Sequence, residues 1–227
     1  MQKIILSLIL CLWTASAWAF PPGLVGATTQ GASAGGATYI LSADFETGTQ
    51  GSWTWNASYV QPVWNHTPAN TGSYSLGLLW GSTRSVAYTP AWASTNSVEI
   101  IFSVKLPTLP TTVLDLVYNT GGTGIMRIGT AGQVIAMHGG TVTGASAIDT
   151  IPANTPKYVK IQWIRGTSGN TDGITRIYVS DSLTFSETPT RELLTGAYEA
   201  IGITSLQFMG RYANAIIDDL TVENTEP

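Results

Sequence analysis

The segment "AIIDDLTVE", residues 215–223, reads as a strand interrupted by two adjacent acids, Asp218 and Asp219. Side chains alternate between the faces of a strand, so Ile216, Asp218, Leu220 and Val222 are expected on one face and Ile217, Asp219 and Thr221 on the other. Asp218 then shares an apolar stripe, where an ionised carboxylate needs a cation, a proton or hydrogen-bond donors. Calcium, which takes six to eight oxygen ligands including carboxylates, is one expectation. The alternatives are a bulge that turns both aspartates to solvent, or a turn whose backbone N–H groups satisfy Asp218.

Other constellations carry less chemistry. His66 and His138 have neither zinc-ligand nor catalytic-triad spacing, and both are expected in solvated loops. Gly31-Ala32-Ser33-Ala34-Gly35 matches G-x-S-x-G, but the strand before and helix after that a serine nucleophile needs are missing from the pattern. No run places paired carboxylates on one strand face as glycoside hydrolysis requires. Asn170 and Asp172 in "GNTDG" are ordinary turn formers. A non-catalytic domain is therefore expected.

Aromatic side chains can cover the C–H faces of sugar rings while their polar edges stay wet. Trp80 and Trp163 fall in alternating apolar stripes and are expected in the core. Trp64 in "QPVWNH" and Trp92 in "TPAW" follow prolines in loop-like stretches. With Tyr88 and His66 nearby in sequence, they are the candidate carbohydrate-binding residues.

The elements that must position these residues are strands. In "VEIIFSVKL", Val98, Ile100, Phe102, Val104 and Leu106 alternate with more polar neighbours, the mark of a half-buried antiparallel strand. "SYSLGLLW", "YVKIQWIR" and "ITRIYVS" continue the pattern, Gly129–Gly132 reads as a hairpin turn, and Gly166–Gly173 reads as a loop closing another hairpin. Arg191–Glu199 is the one stretch expected to form a short helical turn. Around eleven to thirteen strands at this spacing imply two packed antiparallel sheets.

The first nineteen residues, "MQKIILSLILCLWTASAWA", combine an early Lys3, a short apolar run and an A-x-A site, the layout of a secretory signal peptide. Residues 20–38 form a Gly/Ala/Ser/Thr-rich leader and 39–227 the folded domain. Cleavage removes Cys11, the only cysteine, so the core must hold without disulfides. Ten Lys and Arg stand against fourteen Asp and Glu, with no basic cluster in the sequence. Nucleic-acid binding and membrane insertion are not expected; a secreted, extracellular protein is.

"ADFETGTQGSWTW", "NTGSYSLGL" and "AIIDDLTV", in that order, resemble landmarks of jelly-roll β-sandwiches of the concanavalin A-like and carbohydrate-binding-module type, relatives of laminin-G-like lectin domains. The resemblance implies an all-β, two-sheet antiparallel jelly roll whose first and last strands are paired or adjacent, with Trp53 buried. It also implies a structural calcium held by Glu46, Asp218 and backbone groups around Gly72–Tyr74, with Asp44 as a further ligand. The expected function is binding of carbohydrate or a cell-surface glycan, or adhesion. The alternatives are a structural subunit of an extracellular or viral particle, and a glycan hydrolase or lyase on the same fold.

Overall fold

The computed structural model describes residues 38–226 apart from 82 and 120, and every regular element among them is a strand. The expected signal peptide and nearly all of the leader lie outside the described residues. In chain order the strands are β1 (Thr38–Ala43), β2 (Thr54–Trp55), β3 (Val63–His66), β4 (Ser75–Leu78), β5 (Ser85–Tyr88) and β6 (Ser97–Lys105). Next come β7 (Leu114–Asn119), β8 (Gly124–Ile128), β9 (Val134–His138), β10 (Thr141–Val142) and β11 (Lys157–Ile164). Strands β12 (Gly173–Ser180), β13 (Arg191–Gly196), β14 (Leu206–Gly210) and β15 (Ala215–Asn224) complete the domain.

They form two antiparallel sheets. One has eight strands in the order β13-β12-β11-β6-β15-β4-β3, with β1 also paired to β15; the other has seven in the order β10-β9-β8-β7-β14-β5-β2. The first and last strands pair, from Thr38↔Asn224 to Ala43↔Leu220. Gly129–Gly132 closes the β8–β9 hairpin, and Asp172 Oδ1 accepts the Thr167 N–H at 2.6 Å to fix the β11–β12 loop.

Between the sheets lies one apolar core. Val98, Ile100, Phe102, Val104 and Leu106 enter it from β6 and the segment just beyond, and Val159, Ile161 and Trp163 from β11. Opposite them sit Leu114, Val117, Met126, Val134 and Phe208 of the seven-stranded sheet. Alternation selects these residues because one face of each strand meets the other sheet.

Strand β15 departs from simple alternation. Ala215 and Ile217 point into the core, and so do Leu220 and Val222. Three positions separate Ile217 from Leu220, which requires one extra residue. It is supplied by a bulge between Asp218 and Thr221, where Asp219 has a left-handed φ of 50°. Asp218 therefore shares a face with Ile216, not with Leu220 and Val222, and is buried on the outer side of its sheet.

Three further expectations are corrected. Arg191–Glu199 is not helical: 191–196 form β13, because Leu193 is buried opposite Thr175 of β12 and that pairing outweighs local preference. Trp80 is not in the core; β4 ends at Leu78, and Trp80 is 37% exposed. His138 is not a loop residue. It sits fully buried in β9, crosses to the opposite sheet and stacks on Trp163 with ring centroids 4.9 Å apart and an interplanar angle of 9°. Burial pushes its pKa down to about 4, with the Ile174 backbone opposing the shift. Thr175 Oγ1 lies 3.0 Å from its Nδ1.

Space for this imidazole comes from register partners Gly173 and Gly196, where an added Cβ would fall 2.3 Å and 2.4 Å from ring atoms of His138. Gly196→Ala should cost roughly 1–3 kcal/mol by overpacking. The penalty should shrink in a His138→Ala background, which vacates the volume. Denaturant unfolding of the single and double variants measures this coupling, and strict additivity would refute the contact.

Candidate functional site

The first and last strands meet near a polar junction on the eight-stranded sheet. One edge of β15 pairs with β4 through Ala215–Ile217 and with β1 from Leu220 onward, leaving Asp218 and Asp219 between the two partners. Segments 44–48 and 70–74 fill this gap. Asn70 Nδ2 donates to Ser103 Oγ at 2.8 Å and to the Ile216 carbonyl at 3.1 Å. Thr71 N donates to Asp218 Oδ2 at 3.1 Å, and Asp219 N donates to Asp218 Oδ1 at 3.0 Å. The Glu46 carboxylate accepts the Ser73 N–H at 2.9 and 3.0 Å and the Tyr74 N–H at 3.4 Å. Asp44 Oδ1 accepts the Glu46 N–H at 3.2 Å. Gly72, with φ of 57°, lets the Glu46 carboxylate approach, since an added Cβ would lie 2.0 Å from its Oε1.

The junction thus places Asp218 and Asp219 on Thr71, while Glu46 binds the 73–74 backbone and Asp44 accepts the Glu46 N–H. Each of these four carboxylates accepts at least one hydrogen bond, and two of them compete for the Thr71 hydroxyl. Thr71 has one hydroxyl proton, yet its Oγ1 lies 2.8 Å from Asp219 Oδ2 and 3.2 Å from Asp218 Oδ2. Among the described residues no Lys or Arg forms an ion pair with any of these acids. Burial raises the Asp218 pKa to about 7; the Thr71 N–H lowers it and the neighbouring Asp219 raises it. The Asp219 pKa is also raised, first by burial, with Asp44 and Glu46 adding repulsion. All donors are oxygens, as calcium requires. Among the described residues, however, no three His, Cys, Asp or Glu side chains converge into a metal-holding group.

The linkage has a definite sign. A carboxyl whose pKa is higher folded than unfolded binds its proton more readily in the native state, so stability falls as pH rises from about 4 to about 7. In the presence of a chelator, unfolding free energies of wild type and Asp218→Asn should diverge across that window, with wild type losing ground as pH rises. Parallel curves would show that Asp218 titrates normally.

A second constellation covers the outer face of the seven-stranded sheet. Phe208 of β14 pairs in register with Ala87 and Val117, all core residues. Their neighbours Tyr88, Gln207 and Tyr118, also in register, therefore point away from the core. Val86, Met209 and Tyr118 form a small apolar cluster there, joined by Tyr59 and Tyr88. Arg127 donates from Nε to Asp115 Oδ1 at 2.6 Å and from Nη2 to Tyr118 Oη at 3.1 Å; Arg211 Nη1 reaches Asp115 Oδ2 at 3.3 Å. Arg84 lies 4.2 Å above the Tyr59 ring and hydrogen-bonds its hydroxyl.

This face leads into a groove of about 940 Å³ lined by Tyr118, Asn119, Arg127, Tyr198 and Glu199, together with six glycines. Glu199 accepts from Gly139 N at 3.1 Å and from the Asn119 amide, while burial raises its pKa. Arg165 stacks 4.7 Å from the Tyr198 ring and bonds its hydroxyl, tying the 198–200 segment down.

The four sequence candidates for sugar binding scatter. Trp64 is a correction: it is buried in the core, edge-on to Trp53 at 6.0 Å, because its loop-like segment becomes β3. Trp53 is buried as expected. Trp92 packs partly on the core and donates from Nε1 to the Ile203 carbonyl at 3.0 Å. His66 belongs to β3 and lies against Gly77. Tyr88 alone reaches the outer face of the seven-stranded sheet. Tyr118, Arg127, Tyr198 and Glu199 were missed, and their local patterns carry no signal that separates them from strand and loop residues elsewhere.

No family model matches the sequence, and no curated protein matches it. Solved structures are similar in fold. A botulinum neurotoxin type C chain, from a toxin whose cell entry is dependent upon interaction with two ganglioside molecules, aligns at TM-score 0.53 and 12% identity, covering 83% of this chain and 48% of its own. An alginate lyase in complex with an alginate tetrasaccharide aligns at 0.51 and 14%, covering 80% and 95%. The marine PL-14 alginate lyase from Aplysia kurodai aligns at 0.51 and 10%, covering 75% and 86%. At such identities the likeness is one of architecture: the chain is an all-β, concanavalin A-like jelly-roll sandwich.

Proposed function

We propose that this chain is a secreted carbohydrate-binding domain, serving glycan recognition or adhesion, that takes its ligand on the outer face of the seven-stranded sheet. The observation that carries the reading is the Tyr88, Gln207, Tyr118 row running beside Arg127 into the groove. Aromatic rings offer faces for sugar C–H groups. The Arg127 guanidinium and the Tyr88 hydroxyl offer polar partners for sugar oxygens. Proteins that engage gangliosides or alginate share the fold, which supports carbohydrate as the partner class.

Isothermal titration against a glycan panel tests this. Tyr88→Ala and Arg127→Gln should each weaken binding about tenfold, roughly 1.4 kcal/mol, while circular dichroism shows a native fold. Trp64→Ala is the contrast; removing this buried ring should cost about 3–5 kcal/mol of stability. Unchanged affinity in both face variants would move the site elsewhere.

Calcium belongs to the proposal. Asp218 and Asp219 would hold the ion with the Thr71 hydroxyl, while Asp44 and Glu46 add negative field; it would supply the positive charge that the junction lacks. Calcium should then raise the melting temperature at pH 7, because a ligand bound only by the folded state stabilises it. Asp218→Asn should remove the shift, and identical melting with calcium and with chelator would refute the site.

A second reading, cleavage of the bound polysaccharide, is favoured by one observation: Tyr118, Tyr198 and Arg127 line the groove together. Its signature would be release of unsaturated, ultraviolet-absorbing ends from an acidic polysaccharide.

A further inference from the structure

Trp80 is 37% exposed, whereas Trp53, Trp64 and Trp163 are buried. It is not loosely placed. Its ring packs at 5.2 Å against Tyr212, with the planes inclined by 46°, and its backbone N–H donates to Asn214 Oδ1 at 2.6 Å. Tyr212 and Asn214 belong to the turn between β14 and β15. There Ala213 is buried and Tyr212 holds a left-handed φ of 71°, an uncommon conformation for a non-glycine residue. The turn therefore keeps a strained, ring-bearing residue where glycine would sit without strain.

A continuous line of contacts joins this ring pair to the groove. Arg211 lies 4.8 Å from the Tyr212 ring and reaches Asp115, Asp115 holds Arg127, and Arg127 bonds Tyr118 at the groove wall. The two guanidinium groups share one carboxylate, and Arg84 on the same face has no carboxylate partner among the described residues. Positive charge thus exceeds negative along this line, although the chain as a whole has a formal net charge of −4. Guanidinium groups bind carboxylates and sulfates through charge-assisted hydrogen bonds, and fixed aromatic rings contact sugar faces at low ordering cost.

We infer that Trp80 and Tyr212, with Arg211 beside them, form a second sugar subsite at the far end of this line, and that the ligand is an acidic polysaccharide long enough to span from the groove to the ring pair. The inference deepens the carbohydrate-binding reading and rests on it. One acidic residue of the polymer lies across Trp80 with its carboxylate directed to Arg211, and another segment occupies the groove.

The test uses an alginate disaccharide, an alginate hexasaccharide and the same hexasaccharide with its carboxylates reduced to alcohols. Tyr212→Gly removes the ring while relieving the left-handed backbone, so the fold is retained; Trp80→Ala is the partner variant. Both should weaken hexasaccharide binding about tenfold and leave disaccharide binding unchanged. Wild type should prefer the acidic hexasaccharide to its reduced form by about tenfold, and added salt should erode that preference. If both variants bind the hexasaccharide like wild type, the subsite is overturned, while loss of disaccharide binding in Arg127→Gln would still support the groove. A wild type that binds none of the three probes overturns both readings.

Discussion

Strand β15 changes partner halfway along its length, and the extra residue at Asp218 and Asp219 is what permits the change. On one side it pairs with β6 throughout; on the other it leaves β4 after Ile217 and takes up β1 at Leu220. Without the bulge, Leu220 and Val222 would face outward and two core positions would be lost, because a shift of one residue reverses every later side chain. The bulge also opens a gap at the sheet surface. Segments 44–48 and 70–74 close it: Asp218 of the bulge accepts the Thr71 N–H, and Glu46 accepts the Ser73 N–H. Acid and amide each depend on the other, since either would be costly to bury alone.

The same division places charge. Acids concentrate where the last strand changes partner on the eight-stranded sheet, with no Lys or Arg paired to them among the described residues. Arginines concentrate on the outer face of the other sheet, sharing Asp115. An acidic protein can in this way present a locally positive surface, because exposed charges are screened beyond about one Debye length of roughly 8 Å at physiological salt.

Inside, His138 links the sheets where an aliphatic residue would ordinarily serve. Its flat ring fills the shallow space over Gly173 and Gly196 and stacks on Trp163. Held neutral by burial, it behaves as an aromatic spacer with one polar atom turned to Thr175. Acidification below its ordinary pKa of about 6.5 would protonate it first in the unfolded chain and so work against the fold.

Several features are local and were legible in the residues themselves. Alternation named the inward side chains of β6 and β11 because one face of each strand is dry and the other wet, a contrast of period two. Glycine-bearing turns marked the β8–β9 and β11–β12 hairpins, since those connections close over a few residues. Order along the chain, with its resemblance to jelly rolls, placed the first and last strands together. Tertiary structure alone decided the rest. Asp218 lost its place in the apolar stripe to a bulge that the sequence offered only as one alternative, with the acids in solvent; Asp218 is buried instead, because the switch from β4 to β1 sets it against the 70–74 segment. Trp64 and Trp80 exchanged expected environments: β3 forms by pairing with β4, and β4 ends where its pairing with distant β15 stops at Leu78↔Ala215. The outer-face row of Tyr88, Gln207 and Tyr118, with Arg127, draws on four strands, of which β5, β7 and β14 are far apart in sequence. Their common face is set by register between strands, a property that no single strand contains.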